Sequence, residues 1–392
     1  MDLIRRRSLL SVAPLALAGL AAATAARAQP AAIANLPPHH PPPHYPPRYA
    51  AMVAAANAEG RVIVHSNTDR TVMAPLLEDF SALYPKIAVR HVEASSGALY
   101  EGFVRNATPA TASAGSAPAP APAAEPAADM LWSSAMDLQV KLVNDGFAAS
   151  YRSPESAHLA PWSMWRFEAY GVTVEPVGLA YDRRRVAADE LPHTHAELAA
   201  LLDADPARWR GRVATYDLQA AGLGLLFAAQ DAQTSDQLWA IARAFGRVQV
   251  RELATTSAML DAIAGGDCAL AYNVLAPYAL GRAAADPVIG FIYPRDYTLA
   301  CSRIAFIARN AEHPNAARLW LDYLLSQRGQ TVLAQRARLA SVRADVPSAI
   351  PAAALQRLAP IAIGPGLMAY LDRSRRDEFL RRWRRALSVE RG

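Results

Sequence analysis

The stretch Asp129–Gly146 constrains the fold more than any other part of the chain. Met130-Leu131-Trp132 is a short apolar run of the buried-strand kind, and Met136, Val140 and Val143, with Leu138 and Leu142 beside them, recur at helical spacing. A strand therefore passes directly into a helix through Ser133-Ser134, whose hydroxyls suit the free N–H groups of a helix start. Lys141 and the Asn-Asp-Gly ending at Gly146 supply the stop, the glycine being free to turn left-handed. Ser-Ser before a helix can be a cap and nothing more. Repetition of the joint is what gives it weight.

The joint does recur. Arg61-Val-Ile-Val-His65 reads as a strand, Ser66-Asn67-Thr68-Asp69 follows it, and helical spacing begins at Val72 and runs to Leu83. Pro85 stops that helix, Ile87–Val92 is the next strand, and Glu93-Ala94-Ser95-Ser96-Gly97 leads into another helix near Leu99. Strand, helix, strand, helix in this order predicts a mostly parallel sheet, with the three hydroxyl-rich turns gathered on its carboxyl edge, the place where open α/β sheets hold ligands.

A second α/β set follows. Val172–Tyr181 is a long extended run whose Pro176 predicts an edge or crossing strand. Gly211–Asp217 is a strand, Leu218–Gly224 a glycine-bearing turn, and Ser235–Phe245 and Thr256–Ala264 are helices. Cys268–Tyr272 is a strand that ends at Asn273, Thr298–Ala308 is strand again, and Ala316–Leu325 is helical. Two α/β lobes, each a mostly parallel sheet flanked by helices, joined by crossing strands near 172–182 and 298–308, account for this order. The expected division is 51–175 with 305–392 for lobe one and 176–304 for lobe two.

The flanks carry an address and two low-complexity pieces. Arg5-Arg6-Arg7-Ser8-Leu9-Leu10 leads an Ala/Leu-rich run closed by Ala26-Arg27-Ala28, so residues 1–28 read as a signal peptide, of twin-arginine or general secretory type, and the mature protein as a periplasmic one starting at Gln29. Residues 29–50 are Pro/His-rich and read as an extended tether; 108–128 are Ala/Pro-rich and read as a disordered insertion. Two cysteines, Cys268 and Cys301, are too few for a metal site and sit in apolar runs, which favours buried thiols.

Charge removes one class of function. The chain carries +5, but residues 1–28 hold four Arg and one Asp, which leaves +2; Leu371–Gly392 hold eight Arg against four acids, which leaves −2 for residues 29–370. No basic field covers the fold, so no nucleic-acid partner is expected. The terminal Arg-Arg-Trp-Arg-Arg reads most simply as the solvated face of a last helix, with contact to a membrane surface or a partner as the sharper alternative. No Gly-x-Ser-x-Gly elbow, lysine-bearing phosphate loop or His-Glu-x-x-His pair is present, so no enzyme is expected, and no cofactor. His193 and His195 read as part of an exposed loop.

In order and spacing, Val62–Ser66, Ala128–Ser134, Thr173–Val177, Gly211–Asp217, Ala271–Leu275, His313–Ser326 and Val342–Val346 resemble the exported type 2 solute-binding proteins of ABC importers, in the branch that includes binders of ferric ion, phosphorylated sugars and phosphoglycerate. The resemblance covers roughly Ala55 to Val346. It implies a monomer whose lobes close on a small ligand and hand it to an inner-membrane permease, or report it to a sensor kinase. It also implies a cleft lined by Ser66, Asn67, Thr68, Ser95, Ser96, Gly97, Ser133 and Ser134 from lobe one, and by Thr215, Tyr216, Asp217, Tyr272 and Asn273 from lobe two. The chain departs from its relatives at Ala220-Ala221-Gly222, where Ser-Gly is common. At Tyr272-Asn273 a ferric binder would have two adjacent tyrosines, so the resemblance implies an anionic ligand, phosphorylated or carboxylated, with no metal and with ferric ion as the rival.

Overall fold

A computed structural model describes residues 45–107 and 127–388. The signal peptide, most of the tether and residues 108–126 of the insertion lie outside the described residues. The tether ends earlier than expected: from Tyr45 the chain is packed, with Tyr45 and Tyr49 buried edge to face and the Tyr45 hydroxyl donating to Glu155. The reason is aromatic burial, which the proline-rich composition of the flanking residues conceals.

The first sheet is built from β1 (Arg61–Ser66), β2 (Ala88–Glu93), β3 (Met130–Ser133), β4 (Met164–Trp165), β5 (Ala169–Gly171) and, from much later in the chain, Ile304–Ile307. Its core strand β1 is apolar from Val62 to Val64 and pairs in parallel with β2 on one side and β3 on the other. Asp129, fully buried at the start of β3, holds this arrangement. Its carboxylate accepts from Ile63 N (2.8 Å) and from His313 N (2.9 Å), tying the sheet to the helix Pro314–Leu325. Arg61 Nε donates to His313 Nε2, which leaves His313 Nδ1 to donate to Asp129. The strand-to-helix joint forms as read: β3 ends at Ser133, the helix runs Met136–Asn144, and Gly146 takes φ +87°.

The larger sheet contains β6 (Thr173–Asp182), β7 (Val213–Tyr216), β8 (Arg251–Leu253), β9 (Leu270–Leu275), β10 (Ile289–Ile292) and β11 (Thr298–Cys301). With Ile304–Ile307 as β12, two further strands join it, β13 (Ala340–Ser341) and β14 (Leu358–Pro360). β7 pairs in parallel with β8 and β9. β6 is a crossing strand but lies inside the sheet rather than on its edge, buried along its whole length. Pro176 is tolerated there because it faces Ala300 of β11, while pairing to β9 begins only at Val177.

The two expected crossings are β5–β6 and β11–β12. A third was not foreseen. Beyond the helix Gln327–Gln335, β13 pairs with the start of β6, and β14 pairs with β11. The turn Pro365–Tyr370 then packs on the helix Met136–Asn144 of the first lobe. The helix Arg373–Ser388 packs on the helix Gln237–Arg247 of the second, through Phe379 and Trp383 against Trp239 and Phe245. Gly246 permits that approach: a Cβ there would lie 2.4 Å from the Leu387 carbonyl oxygen. Residues 305–392 therefore do not form one block with lobe one, because the apolar stripe Phe379-Leu380-Trp383 finds its partner on lobe two. Cys268 and Cys301 are free and buried, and burial pushes the Cys301 thiol well up.

Candidate interlobe binding site

On lobe one the three hydroxyl-rich turns meet at Asn67. Its Nδ2 donates to Ser96 Oγ (2.9 Å) and Ser134 Oγ (2.8 Å), and its Oδ1 accepts from Ser134 N (3.1 Å). One half-buried amide thus locks three strand ends that the sequence separates by up to 67 positions. The other hydroxyls act as caps: Ser66 Oγ accepts from Thr68 N, Ser133 Oγ from Ala135 N and Ser95 Oγ from Ala98 N. Gly97 is exposed with open space above its Cα.

Lobe two differs from the expectation. Thr215 is buried on β7, and the Tyr216 hydroxyl is spent on Thr256 Oγ1. Asp217 Oδ1 accepts from Gln219 N and Ala220 N, closing the turn that carries Ala220-Ala221-Gly222. Tyr272 and Asn273 do not face the cleft: the Tyr272 hydroxyl and Asn273 Nδ2 each donate to Asp231 Oδ2 at 2.8 Å, and Tyr297 donates to Asp231 Oδ1 at 3.0 Å. The cause is local. Asn273 has φ +61°, and the β6–β9 register shifts beside it, so two successive residues of β9 both bond one buried carboxyl instead of alternating. Burial pushes the Asp231 carboxyl up, against the opposing pull of His195 and of these hydrogen bonds. His195 also departs from the exposed-loop reading. It is buried at the start of a helix, bonded to Asp296 and stacked on Tyr297.

Between the lobes lies a cleft of about 400 Å³. Asp69 and Val72 line it from lobe one, Ser257, Leu260, Pro277, Tyr278 and Arg282 from lobe two, and Arg338 and Leu339 from the connection leading to β13. At its base is Arg303, on the short link between β11 and β12, with 3% of its surface exposed. Its Nε and Nη2 make a forked pair with Glu175 of β6 (2.8 and 3.3 Å), and its backbone N donates to Thr173 Oγ1, whose hydroxyl also donates to Glu175. One buried network thus fastens the first two crossings together. The guanidinium edge left over turns to both lobes, with Nη1 on Thr68 Oγ1 at 3.1 Å and Nη2 at 3.5 Å from the Tyr278 hydroxyl. Burial works against the Arg303 charge, but Glu175 and Tyr278 outweigh it and hold the group above its ordinary range.

Three arginines, Arg303, Arg282 and Arg338, therefore face one cleft. Glu175 compensates the first and Asp261 pairs with the second at the surface (2.9 Å). Sequence reasoning missed these residues. The signal was present in part: Glu175 and Arg303 are single opposite charges set within the two apolar crossing runs. Among the described residues no group of three or more His, Cys, Asp or Glu side chains is placed to hold a metal ion, and no helix is long and apolar enough to cross a membrane.

The sequence profile of the bacterial extracellular solute-binding proteins matches residues 125–358. The chain belongs to that family. Among solved structures it is similar to the substrate-binding protein of an ABC transporter from Agrobacterium tumefaciens, at 33% identity over 83% of this chain and 94% of that one, with a TM-score of 0.71. It shares the fold of iron-bound HitA from Pseudomonas aeruginosa (16% identity, 83% and 99% covered, TM-score 0.63). The same holds for AfuA from Actinobacillus pleuropneumoniae with fructose-6-phosphate bound (14% identity, 84% and 99% covered, TM-score 0.61). No curated protein matches the chain. This solute-binding protein is accordingly two-lobed and belongs to an extracellular family of non-enzymatic substrate-binding proteins, periplasmic in bacteria, that works with ABC permeases.

Proposed function

We propose that the protein captures a small organic anion, a phosphate ester or carboxylate, between its lobes and delivers it to an ABC permease. The observation that carries this reading is the Arg303 guanidinium, buried at the crossing of the lobes with donors turned to both, beside Arg282 and Arg338. The Arg303 fork is engaged by Glu175, so an anion would meet its remaining edge together with the Arg282 and Arg338 guanidinium groups, whose charged donors suit a phosphate or carboxylate. The lobe-one wall adds helix starts at Arg70, Ser96 and Met136, whose partial positive charge favours the same ligands. Ferric ion, the rival, calls for hard anionic oxygen ligands, and Tyr272 is turned onto Asp231 rather than towards the cleft.

Thermal-shift screening of phosphorylated sugars, phosphoglycerates, phosphonates and dicarboxylates, run beside a ferric titration, tests this reading. An anion should raise the melting temperature, with the gain lost in Arg338→Ala and Arg282→Ala, and small-angle scattering should show compaction at saturation, since ligand that touches both lobes favours the closed form. A tyrosinate-to-iron colour on adding ferric ion, with no response to any anion, would overturn it. We propose further that export uses the twin-arginine route. Replacing Arg6 and Arg7 by Lys should then block appearance of a mature species starting at Gln29, as read by intact mass of the periplasmic fraction; unimpaired export would exclude that route.

A further inference from the structure

We infer that the helix Arg373–Ser388 is a docking face for the anionic phospholipid headgroups of a bilayer. This rests on the family's extracellular setting and not on the anion reading of the cleft. The helix carries seven arginines against two acids, Asp377 and Glu378. Its apolar stripe, Phe379, Leu380 and Trp383, is already consumed against lobe two, so it has no hydrophobic face to insert into lipid. What remains outward is charge.

The arginines divide by role. Arg376 and Arg384 bond Gln219, and Arg382 lies over the Trp239 ring at 3.8 Å, so these three hold the helix to lobe two. Arg373, Arg375, Arg381 and Arg385 are exposed, and Arg373 has only a 3.9 Å approach to Asp377. Spaced along a 16-residue helix, they span roughly 20 Å, given about 1.5 Å of rise per residue. Arg381 and Arg385 lie opposite the apolar stripe and Arg373 and Arg375 on its two flanks, a spread that suits an extended anionic surface better than one small anion, and the open groove beside the helix, about 720 Å³ and lined by Arg373, Arg376, Arg381 and Arg384 with Asp377, has room for headgroup phosphates. The contrast with the −2 carried by residues 29–370 concentrates the positive field on this helix. A polybasic segment near a charged leaflet is drawn to it by each Arg, an attraction that falls away within a Debye length.

The test is co-sedimentation of the mature full chain with vesicles of mixed phosphatidylglycerol and phosphatidylcholine, and with vesicles of phosphatidylcholine alone. Binding is expected only where phosphatidylglycerol is present, at low ionic strength, and should be lost at about 0.5 M salt. Arg373→Gln, Arg375→Gln, Arg381→Gln and Arg385→Gln together should lower partitioning at least about tenfold, with the thermal melt kept. If the fourfold variant fails to fold, the pair Arg375→Gln and Arg381→Gln should still weaken binding several-fold. Absence of phosphatidylglycerol-dependent binding, or variants that bind as the parent does, would overturn the proposal. So would complete competition by millimolar glycerol phosphate, which would assign the face to a small anion. Binding only to permease-bearing phosphatidylcholine vesicles would assign it to the permease and overturn it equally.

Discussion

Arg303→Met is expected to abolish the response to anions and to lower folding stability by about 3–5 kcal/mol, the usual cost of leaving one half of a buried ion pair behind. Glu175 has no exposed surface; without the guanidinium it keeps only the Thr173 hydroxyl as a donor. The same residues explain how to separate the two effects. In Arg303→Met combined with Glu175→Gln no charge is stranded, so urea denaturation should show most of the lost stability restored while anion binding stays absent. A single variant within about 1 kcal/mol of the parent, or a double variant that regains ligand response, would remove Arg303 from the base of the site.

A stability that rises on acidification is the second expected result. Asp322 is fully buried on the helix Pro314–Leu325, and burial pushes its carboxyl up to about 7, against hydrogen bonds from Ser153, Tyr151 and Tyr49 and with Glu155 pushing the same way. Unfolded, the group titrates near 3.9. Between those values the folded chain holds a proton that the unfolded chain has released. This group's contribution is therefore present in full below about pH 4 and is lost as pH rises to about 7, at a slope approaching 1.4 kcal/mol per pH unit. Asp231, also pushed up by burial, slopes the same way, and Asp345, held down by Arg343, slopes the opposite way, so the readout is the difference between parent and Asp322→Asn. From pH 8 to pH 5 the parent should gain about 2–4 kcal/mol relative to the variant, as read by urea midpoints. Parallel profiles would show that Asp322 is not the titrating group. Because its partners Tyr49 and Tyr151 flank the first helix, Tyr49–Glu59, the gain should appear there as slower amide exchange at low pH, after correction for the intrinsic rate.

What the sequence made legible was local. The strand-to-helix joint at Ser133 depends on a period, a cap and a glycine within eighteen residues, and all three lie in plain view. The meeting of Asn67, Ser96 and Ser134 follows from that rule applied three times, since parallel strands put like ends together. What stayed hidden depends on geometry that composition does not encode. Asn273 adopts a left-handed backbone at a register shift, which turns Tyr272 and Asn273 onto Asp231 and takes them from the cleft where plain alternation would have left one of them. Glu175 and Arg303 find each other across 128 positions, through two crossings whose register no periodicity specifies. The stripe Phe379-Leu380-Trp383 announces an amphipathic helix without naming the surface that receives it; Gly246, the bare spot beneath Leu387, has meaning only once both helices are in place.

The third passage between the lobes alters the energetics of opening. With two crossings alone, the lobes would swing apart at little cost and the ligand would do all the work of closing them. Here Leu367 of the turn Pro365–Tyr370 is buried and Met368 and Tyr370 are partly buried, the turn packing on the helix Met136–Asn144 in a core continuous with Leu380 and Trp383 on the other lobe. Any rotation that widens the cleft on that side must wet part of this seam. Each 100 Å² of apolar surface so exposed costs about 2.5 kcal/mol, a population ratio of roughly seventyfold. The seam thereby offsets part of the cost of closing, so that less of an arriving solute's differential affinity for the two forms is spent on drawing the lobes together. The cost moves to the other end of the cycle, since release requires the seam to part.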